Sequence, residues 1–409
     1  YGIPRESLKD VQFSLQFMEQ ISNMVVSKMI ELLHTQYQSQ QSGIIGGLSY
    51  LTPQLIGIAI NLINIGTQHN ITYLTSIKPH LQLIVSEIIF PHIGITQEES
   101  VLFDQNPEEF INQLNSPTKQ DYDTPRSSSS HLLRKLVGSR RISSLGIVIQ
   151  GLQSALTEGI QKIQSYQVQS QLNQEQQTID VWSYLESALH ALGQISNSLI
   201  LPPVLNSIEQ SNQQSKLFIP AEYDKEISEI LKQFVIPCIS PQSPFGILKW
   251  RSLWTIEQYT PYIVASPSVL LSQVQSNQDQ NHTQSLLISF IMNTISSLDD
   301  QRIPIRIEAS ETITLLLHQF KKVQKQKNEL QQLNKMISDS IPVLFDKLLS
   351  ILHQTPEAQD KAMSGLIRTI RFSGQDLTPH IYNIFLAVIT DAHSKLEQKW
   401  NQQKQSIDG

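Results

Sequence analysis

The chain is poor in charge, cysteine and glycine. Charged residues make up 16% of its 409 positions, against roughly 25% in an average globular protein. Amides and hydroxyls fill the gap, glutamine above all. The single cysteine, Cys238, excludes an intramolecular disulfide framework and a multi-cysteine zinc site. One thiol in so long a chain suits a reducing compartment. The 16 glycines form no phosphate-cradling loop. No apolar run approaches the ~18 residues of a membrane span; the richest, Leu55–Ile65, is broken by Asn61 and Asn64. A net charge of −6 and a pI near 6.0 argue against the broad basic surface of a nucleic-acid binder. The first residue, Tyr1, is not Met. The chain therefore reads as excised or incomplete, and a missing leader at this end carries no weight.

What is present is helical periodicity. Val11, Leu15, Met18, Ile21, Val25, Met29 and Leu32 share one helix face. Similar three- and four-residue spacing recurs over Leu51–Ile65, His80–Ile89, Leu132–Val137, Leu145–Ile163, Val181–Leu201, Ile227–Val235, Leu248–Tyr259, Leu286–Leu298, Ile303–Phe320, Met336–Leu352 and Leu377–Leu396. Strand-like alternation is almost absent. Pro4, Pro53, Pro79, Pro107, Pro125, Pro304, Pro342 and Pro379 fall near helix starts, where the lost N–H costs little and the fixed φ suits the first turn. About fourteen helices joined by short polar turns give a unit of about 40–47 residues. The fold class is all-α, an α-α superhelix of the HEAT or armadillo type, in which each helix pair buries a face on the next. Residues 1–409 read as one such solenoid, a fragment of a longer chain. Within it, 164–178 and 273–283 are polar, Gln-rich loops, and 97–123 is an acidic connection.

Candidate chemistry is sparse. Cys238 lies in FVIPCISP with no histidine nearby, so it reads as a small buried hydrophobe rather than a nucleophile. The eleven histidines lack ligand spacing; no metal, no cofactor and no catalytic residues are expected, and the chain is not read as an enzyme. Charge clusters carry two readings each. Asp104, Glu108, Glu109, Asp121 and Asp123 could attract a basic partner or oppose positive helix ends. Arg134 and Lys135, with Arg140 and Arg141, could meet an acidic partner or complement a helix C-terminus. Arg251 and Trp254, with Tyr259, could form a binding platform or pack inside.

The most specific text is Ile88–Arg141. It holds Phe90-Pro91, Asn106-Pro107-Glu108-Glu109-Phe110-Ile111 and Thr124-Pro125-Arg126. Leu51–Gln82 adds Asn61, Ile63, Asn64 and Lys78-Pro79-His80; Ala188–Leu199 reads ALHALGQISNSL. Phe245–Tyr259 carries Lys249, Arg251 and Trp254, and Leu298–Leu315 carries Asp299, Asp300, Pro304, Arg306, Glu308 and Ala309. In this order the segments resemble the importin-β superfamily (karyopherins), the nuclear transport receptors of its importin-seven/importin-eight branch. Parts, chiefly Asp121–Val137 and Ser364–Leu396, also resemble the exportin-two type. Val181–Glu186 departs from the family, standing where it has a basic run.

The resemblance implies a HEAT-repeat receptor that binds protein cargo, passes the pore on nucleoporin Phe-Gly repeats and shuttles between cytoplasm and nucleus. It implies release by the small GTPase Ran, gripped mainly through repeats that would precede Tyr1. No membrane insertion and no direct nucleic acid are implied. Two alternatives stay open: an exportin-two-type receptor carrying importin-α, and a HEAT-repeat scaffold outside transport.

Overall fold

The computed structural model describes residues 5–41, 51–115, 124–170, 179–200, 221–241, 243, 245–265, 273–275, 283–324, 331–354 and 359–373, with scattered positions over 386–400. Two compact units result, Tyr1–Pro220 and Ala221–Gly409.

The first unit opens with the long helix α1 (Arg5–Gln41) and α2 (Pro53–Gly66). Helix α2 begins as the sequence requires: the Thr52 hydroxyl accepts from the Leu55 N–H, and Pro53 sits in the first turn. A continuous helical stretch over residues 70–93 follows, termed α3. Next come the short α4 (Gln97–Gln105) and α5 (Pro107–Asn115), then α6 (Pro125–Ser139), α7 (Arg141–Ser170) and α8 (Ile179–Leu199). Helix α1 packs on α2 and α3, α3 on α7, and α2, α6 and α8 pack side by side. The result is three helical hairpins in two layers.

The second unit repeats this plan. Residues 221–239 form α9, paired with α10 (Gly246–Ala265). Helix α11 (Leu286–Ser297) pairs with α12 (Ile303–Gln324), and α13 (Gln331–Gln354) with α14 (Gln359–Ser373). Helices α10, α12 and α14 lie side by side. The ends of the expected polar loop 273–283 pair instead as an antiparallel hairpin, β1 (Gln273–Gln275) with β2 (Thr283–Ser285), Val274 opposite Gln284. The helical class is as expected; the uniform 40–47-residue unit is not. Hairpins start at Arg5, Asn70 and Arg141 in the first unit, because α4, α5 and other intervening segments lengthen the connections. The acidic connection is itself helical over Gln97–Gln105 and Pro107–Asn115. Helix α7 runs to Ser170, into the expected Gln-rich loop. Most of Leu377–Leu396 lies outside the described residues.

Proline shapes the helices from within. In α3 and α9 three π-helical segments, Tyr73–Ile77, Ile84–Ile89 and Leu231–Val235, stand directly ahead of Lys78-Pro79, Phe90-Pro91 and Ile236-Pro237. The residue before each proline donates its N–H five positions back: Lys78 to Tyr73, Phe90 to Val85, Ile236 to Leu231. The proline ring crowds the carbonyl four residues earlier, and the wider turn gives it room. The helix bulges instead of ending. Pro342, expected near a start, lies inside α13, as Pro261 lies inside α10. Among the described residues no helix is long and apolar enough to cross a membrane.

Candidate partner-binding surfaces

The acidic cluster rises from two helix starts. At α4 the Thr96 hydroxyl accepts from the Glu99 N–H (3.2 Å) while the Glu99 carboxylate accepts from the Thr96 N–H (2.8 Å), a reciprocal cap. At α5 the Asn106 side chain accepts from the Glu109 N–H (3.3 Å). The buried rings of Phe103 and Phe110, 5.3 Å apart and edge to face, clamp the two helices together. Asp104 and Glu108 are thereby held at the surface, and Glu109 is half-buried with Gln113 donating to it (2.8 Å). Asp121 and Asp123 lie outside the described residues.

Glu99 faces inward. Arg126 binds its carboxylate and also donates to the Gly94 carbonyl from Nε (2.9 Å) and a terminal nitrogen (2.8 Å). Burial pushes the Glu99 carboxyl up, but the Arg126 hydrogen bonds and charge, with the Thr96 bonds, outweigh it and hold the carboxyl below its ordinary value. The same turn is gripped from α8, where fully buried Glu186 accepts the Ile95 N–H at 2.9 Å. Gly94 must lack a side chain, since a Cβ there would sit 2.1 Å from the Ser187 hydroxyl. The start of α8 thus supplies packing: Trp182, Leu185 and Glu186 are all buried.

The basic residues divide. Arg134 is exposed on α6, its Nε donating to the Ser130 carbonyl at 3.3 Å, and Lys135 is half-buried beside it. Arg140 donates to the Thr67 carbonyl beyond α2 (2.7 and 2.9 Å), and Arg141 to the Ser198 carbonyl in the last turn of α8 (3.0 Å). Those two satisfy orphan carbonyls at helix C-termini.

Arg251 is 5% exposed, with its guanidinium 4.4 Å from the Trp250 ring centre and 4.9 Å from that of Trp254. It is a stacked interior cation. Trp254 is half-buried and Tyr259 fully buried, so the three form packing within the unit and not an open platform. Lys249, two residues before Arg251, reaches Asp300 Oδ2 at 3.0 Å, with side chains only 6% and 14% exposed. Asp299 next door binds Lys347 of α13. The Asp-Asp turn before α12 therefore ties α10 to α13.

Two features escaped sequence reasoning. Glu257 of α10 and Glu308 and Glu311 of α12 bring carboxylate oxygens within 4.8 Å of one another, a donor set suited to a hard cation. They come from helices some fifty positions apart, so no motif announces them. The second is the outward face of α2, where Leu55, Ile58 and Ile65 are exposed. The helix carries no charge on any face, so periodicity does not reveal which side faces water.

No protein-family model matches the sequence. Curated relatives do. The chain is 21% identical to human importin-8 over 411 residues, covering 98% of the chain and 32% of the relative. It is 21% identical to the importin beta-like SAD2 homolog of Arabidopsis thaliana over 337 residues, 82% of the chain and 26% of the relative. Among solved structures, the exportin Cse1 in its cargo-free, cytoplasmic state superposes with a TM-score of 0.55 at 14% identity, covering 92% of this chain and 33% of that one. The resemblance to the importin-β superfamily is borne out. The HEAT-type helical solenoid class is borne out with it. The chain spans about a third of the length of the curated relatives it matches. Two positions that carry the family resemblance, Lys249 and Asp300, bind one another here, and a third, Arg126, donates to the Gly94 carbonyl in the turn after Phe90-Pro91.

Proposed function

We propose that this chain is a segment of a nuclear transport receptor of the karyopherin type, a non-enzymatic protein that carries protein cargo into the nucleus. The observation that supports this most is similarity to importin-8 across 98% of the chain, joined to a structure of paired helices whose fold resembles that of the exportin Cse1. A stack of helical hairpins contacts only its neighbours, so it flexes and wraps large partners. Cargo, the GTPase Ran and nucleoporin Phe-Gly repeats are the proposed partners, with shuttling between cytoplasm and nucleus. On this reading residues 1–409 are interior repeats of one longer solenoid, and the carboxylates of Asp104, Glu108, Glu109, Asp121 and Asp123 contribute to binding basic cargo. Arg134 and Lys135 are the matching candidates for acidic partner surface.

The fold likeness to the exportin Cse1 keeps a second direction of transport as a measured outcome. The complete protein is immobilised and exposed to lysate with and without Ran-GTP. Release of bound proteins by Ran-GTP is the expected result. Capture that needs Ran-GTP makes the protein an exporter, and binding indifferent to Ran-GTP overturns the transport reading in favour of a scaffold.

A further inference from the structure

Helix α2 turns a regular apolar seam outward. Leu55, Ile58, Leu62 and Ile65 follow one another at spacings of three, four and three residues, the a and d positions of a heptad. Leu55, Ile58 and Ile65 are each at least 44% exposed, and Leu62 is half-buried. The other side of the helix is already used, with Ile56, Ile60 and Ile63 buried within the unit. A helix with a second apolar seam is ordinarily covered on both.

Helix α6 runs alongside α2. Arg140, just past its end, donates to the Thr67 carbonyl just past the end of α2 (2.7 and 2.9 Å). The two helices therefore point the same way, with their last turns level. The outward side of α6 is cationic: Arg134 is exposed, Lys135 is half-buried, and neither lies in an ion pair among the described residues. No aspartate or glutamate occurs in residues 51–86 or 124–157, which include both helices. Glu99, the carboxylate that reaches α6 from α4, is bound to Arg126 in its first turn. In a chain of net charge −6, these two helices carry positive charge only.

We infer that the outward faces of α2 and α6 together dock an acidic amphipathic helix of a protein partner. Its apolar residues, in the same three-four spacing, interlock with the α2 seam, and carboxylates on its flank meet Arg134 and Lys135. From Leu55 to Ile65 the seam rises about 15 Å, so the partner contributes about three turns. The apolar seam supplies the affinity, while the two cations select the sign of the flank and orient the helix. A basic amphipathic helix sets its own cations against Arg134 and Lys135, with no carboxylate on α2 or α6 to offset them. This docking mode rests on the proposed role of Arg134 and Lys135 toward acidic partners, and transport in either direction leaves it unchanged.

The test is a fluorescence-anisotropy titration of the full-length protein with a labelled peptide of about eighteen residues, long enough to hold a helix. The peptide carries Leu in three-four spacing and Glu beside it. One control exchanges every Glu for Lys, and a second scrambles the Leu spacing. Ile58→Gln and Ile65→Gln, both at exposed positions, are each expected to weaken the acidic peptide about tenfold. Arg134→Glu with Lys135→Glu is expected to weaken it several-fold at low salt and to let the Lys peptide bind in its place. Both controls are expected to bind the wild type about tenfold more weakly than the acidic peptide. Equal affinity in wild type, I58Q, I65Q and the double charge reversal overturns the proposal. Loss on charge reversal, with I58Q, I65Q and the scrambled peptide unaffected, keeps the acidic-partner role of Arg134 and Lys135 and overturns helix docking. Self-association in sedimentation that I58Q abolishes, without peptide binding, overturns the partner and makes this face a contact between two copies.

Discussion

Lys249 Nζ and Asp300 Oδ2 meet at 3.0 Å across 51 positions of chain, almost out of water. Asp300 also accepts the Arg302 N–H at 3.1 Å, so one carboxylate orders the turn and anchors it to α10. Removing one member of a buried pair strands the other, at a cost of about 3–5 kcal/mol. Asp300→Ala is expected to lower the stability of the second unit by that order, read in denaturant unfolding. Replacing both by apolar residues, K249M with D300L, is expected to cost much less than the two single changes added together. Additive costs would show that the pair is not coupled.

Two glycines on neighbouring helices are expected to respond in opposite directions. At Gly159 in α7 a Cβ would lie 2.8 Å from Leu185 Cβ and 3.0 Å from its Cα, so Gly159→Ala forces α7 and α8 apart and costs about 1–3 kcal/mol. At Gly138 in α6 the nearest atom is the Ser198 hydroxyl at 3.6 Å, an ordinary contact. Gly138→Ala is expected to stabilise by about 0.5–1 kcal/mol through helix propensity. Thermal unfolding of both variants checks the layer packing directly.

Burial pushes the Cys238 thiol up to about 12, against a weaker opposing influence of the nearby Ser252 hydroxyl. The native thiol is therefore expected to resist alkylation at pH 8 and to react fully once the protein is unfolded. The unfolded thiol ionises near pH 9 and the folded one does not, so the unfolded state loses its proton first. Stability is expected to fall as pH rises from about 9 towards 12, helped by Tyr259, which burial also raises. A pH-independent unfolding midpoint across that window would refute the assignment.

Glu99 moves the other way. Its carboxyl lies below the ordinary value in the folded state, so its contribution is present above the unfolded carboxyl's pKa and is lost as pH falls through the folded one. Glu99→Gln is expected to remove this acid-side slope and to cost about 1–3 kcal/mol at neutral pH, since Arg126 loses a charged acceptor. Arg126→Ala is expected to cost more, because the Gly94 carbonyl loses its donors as well.

Charge reversal tests the acidic surface. The quadruple change of Glu108, Glu109, Asp121 and Asp123 to Lys is expected to weaken binding of a basic cargo peptide, most strongly at low salt where screening is least. Unchanged affinity at low salt would reduce these carboxylates to helix-start residues.

Much of the helical architecture was legible in the residues, because apolar spacing and Pro53, Pro107 and Pro125 act within one turn of themselves. The π segments were not, although each proline that causes one is visible: whether a proline ends or widens a helix depends on what packs beyond it. The Ile95–Glu186 bond, 91 positions apart, leaves no local trace at all. The exposed side of α2 leaves none either, since that helix carries no charge on any face.

Alone, the sequence determined that the chain folds into paired helices with apolar faces, and it carried the karyopherin resemblance in five ordered segments. Tertiary structure decided what its scarce charges do. Arg251 and Arg306 are the same residue type, each in the first two turns of its helix and each within a family-like segment. One is stacked against two tryptophan rings, and the Nε–H of the other is buried without an acceptor. The difference lies in which helix covers that face, a contact set by residues some fifty positions away, and no local pattern encodes it.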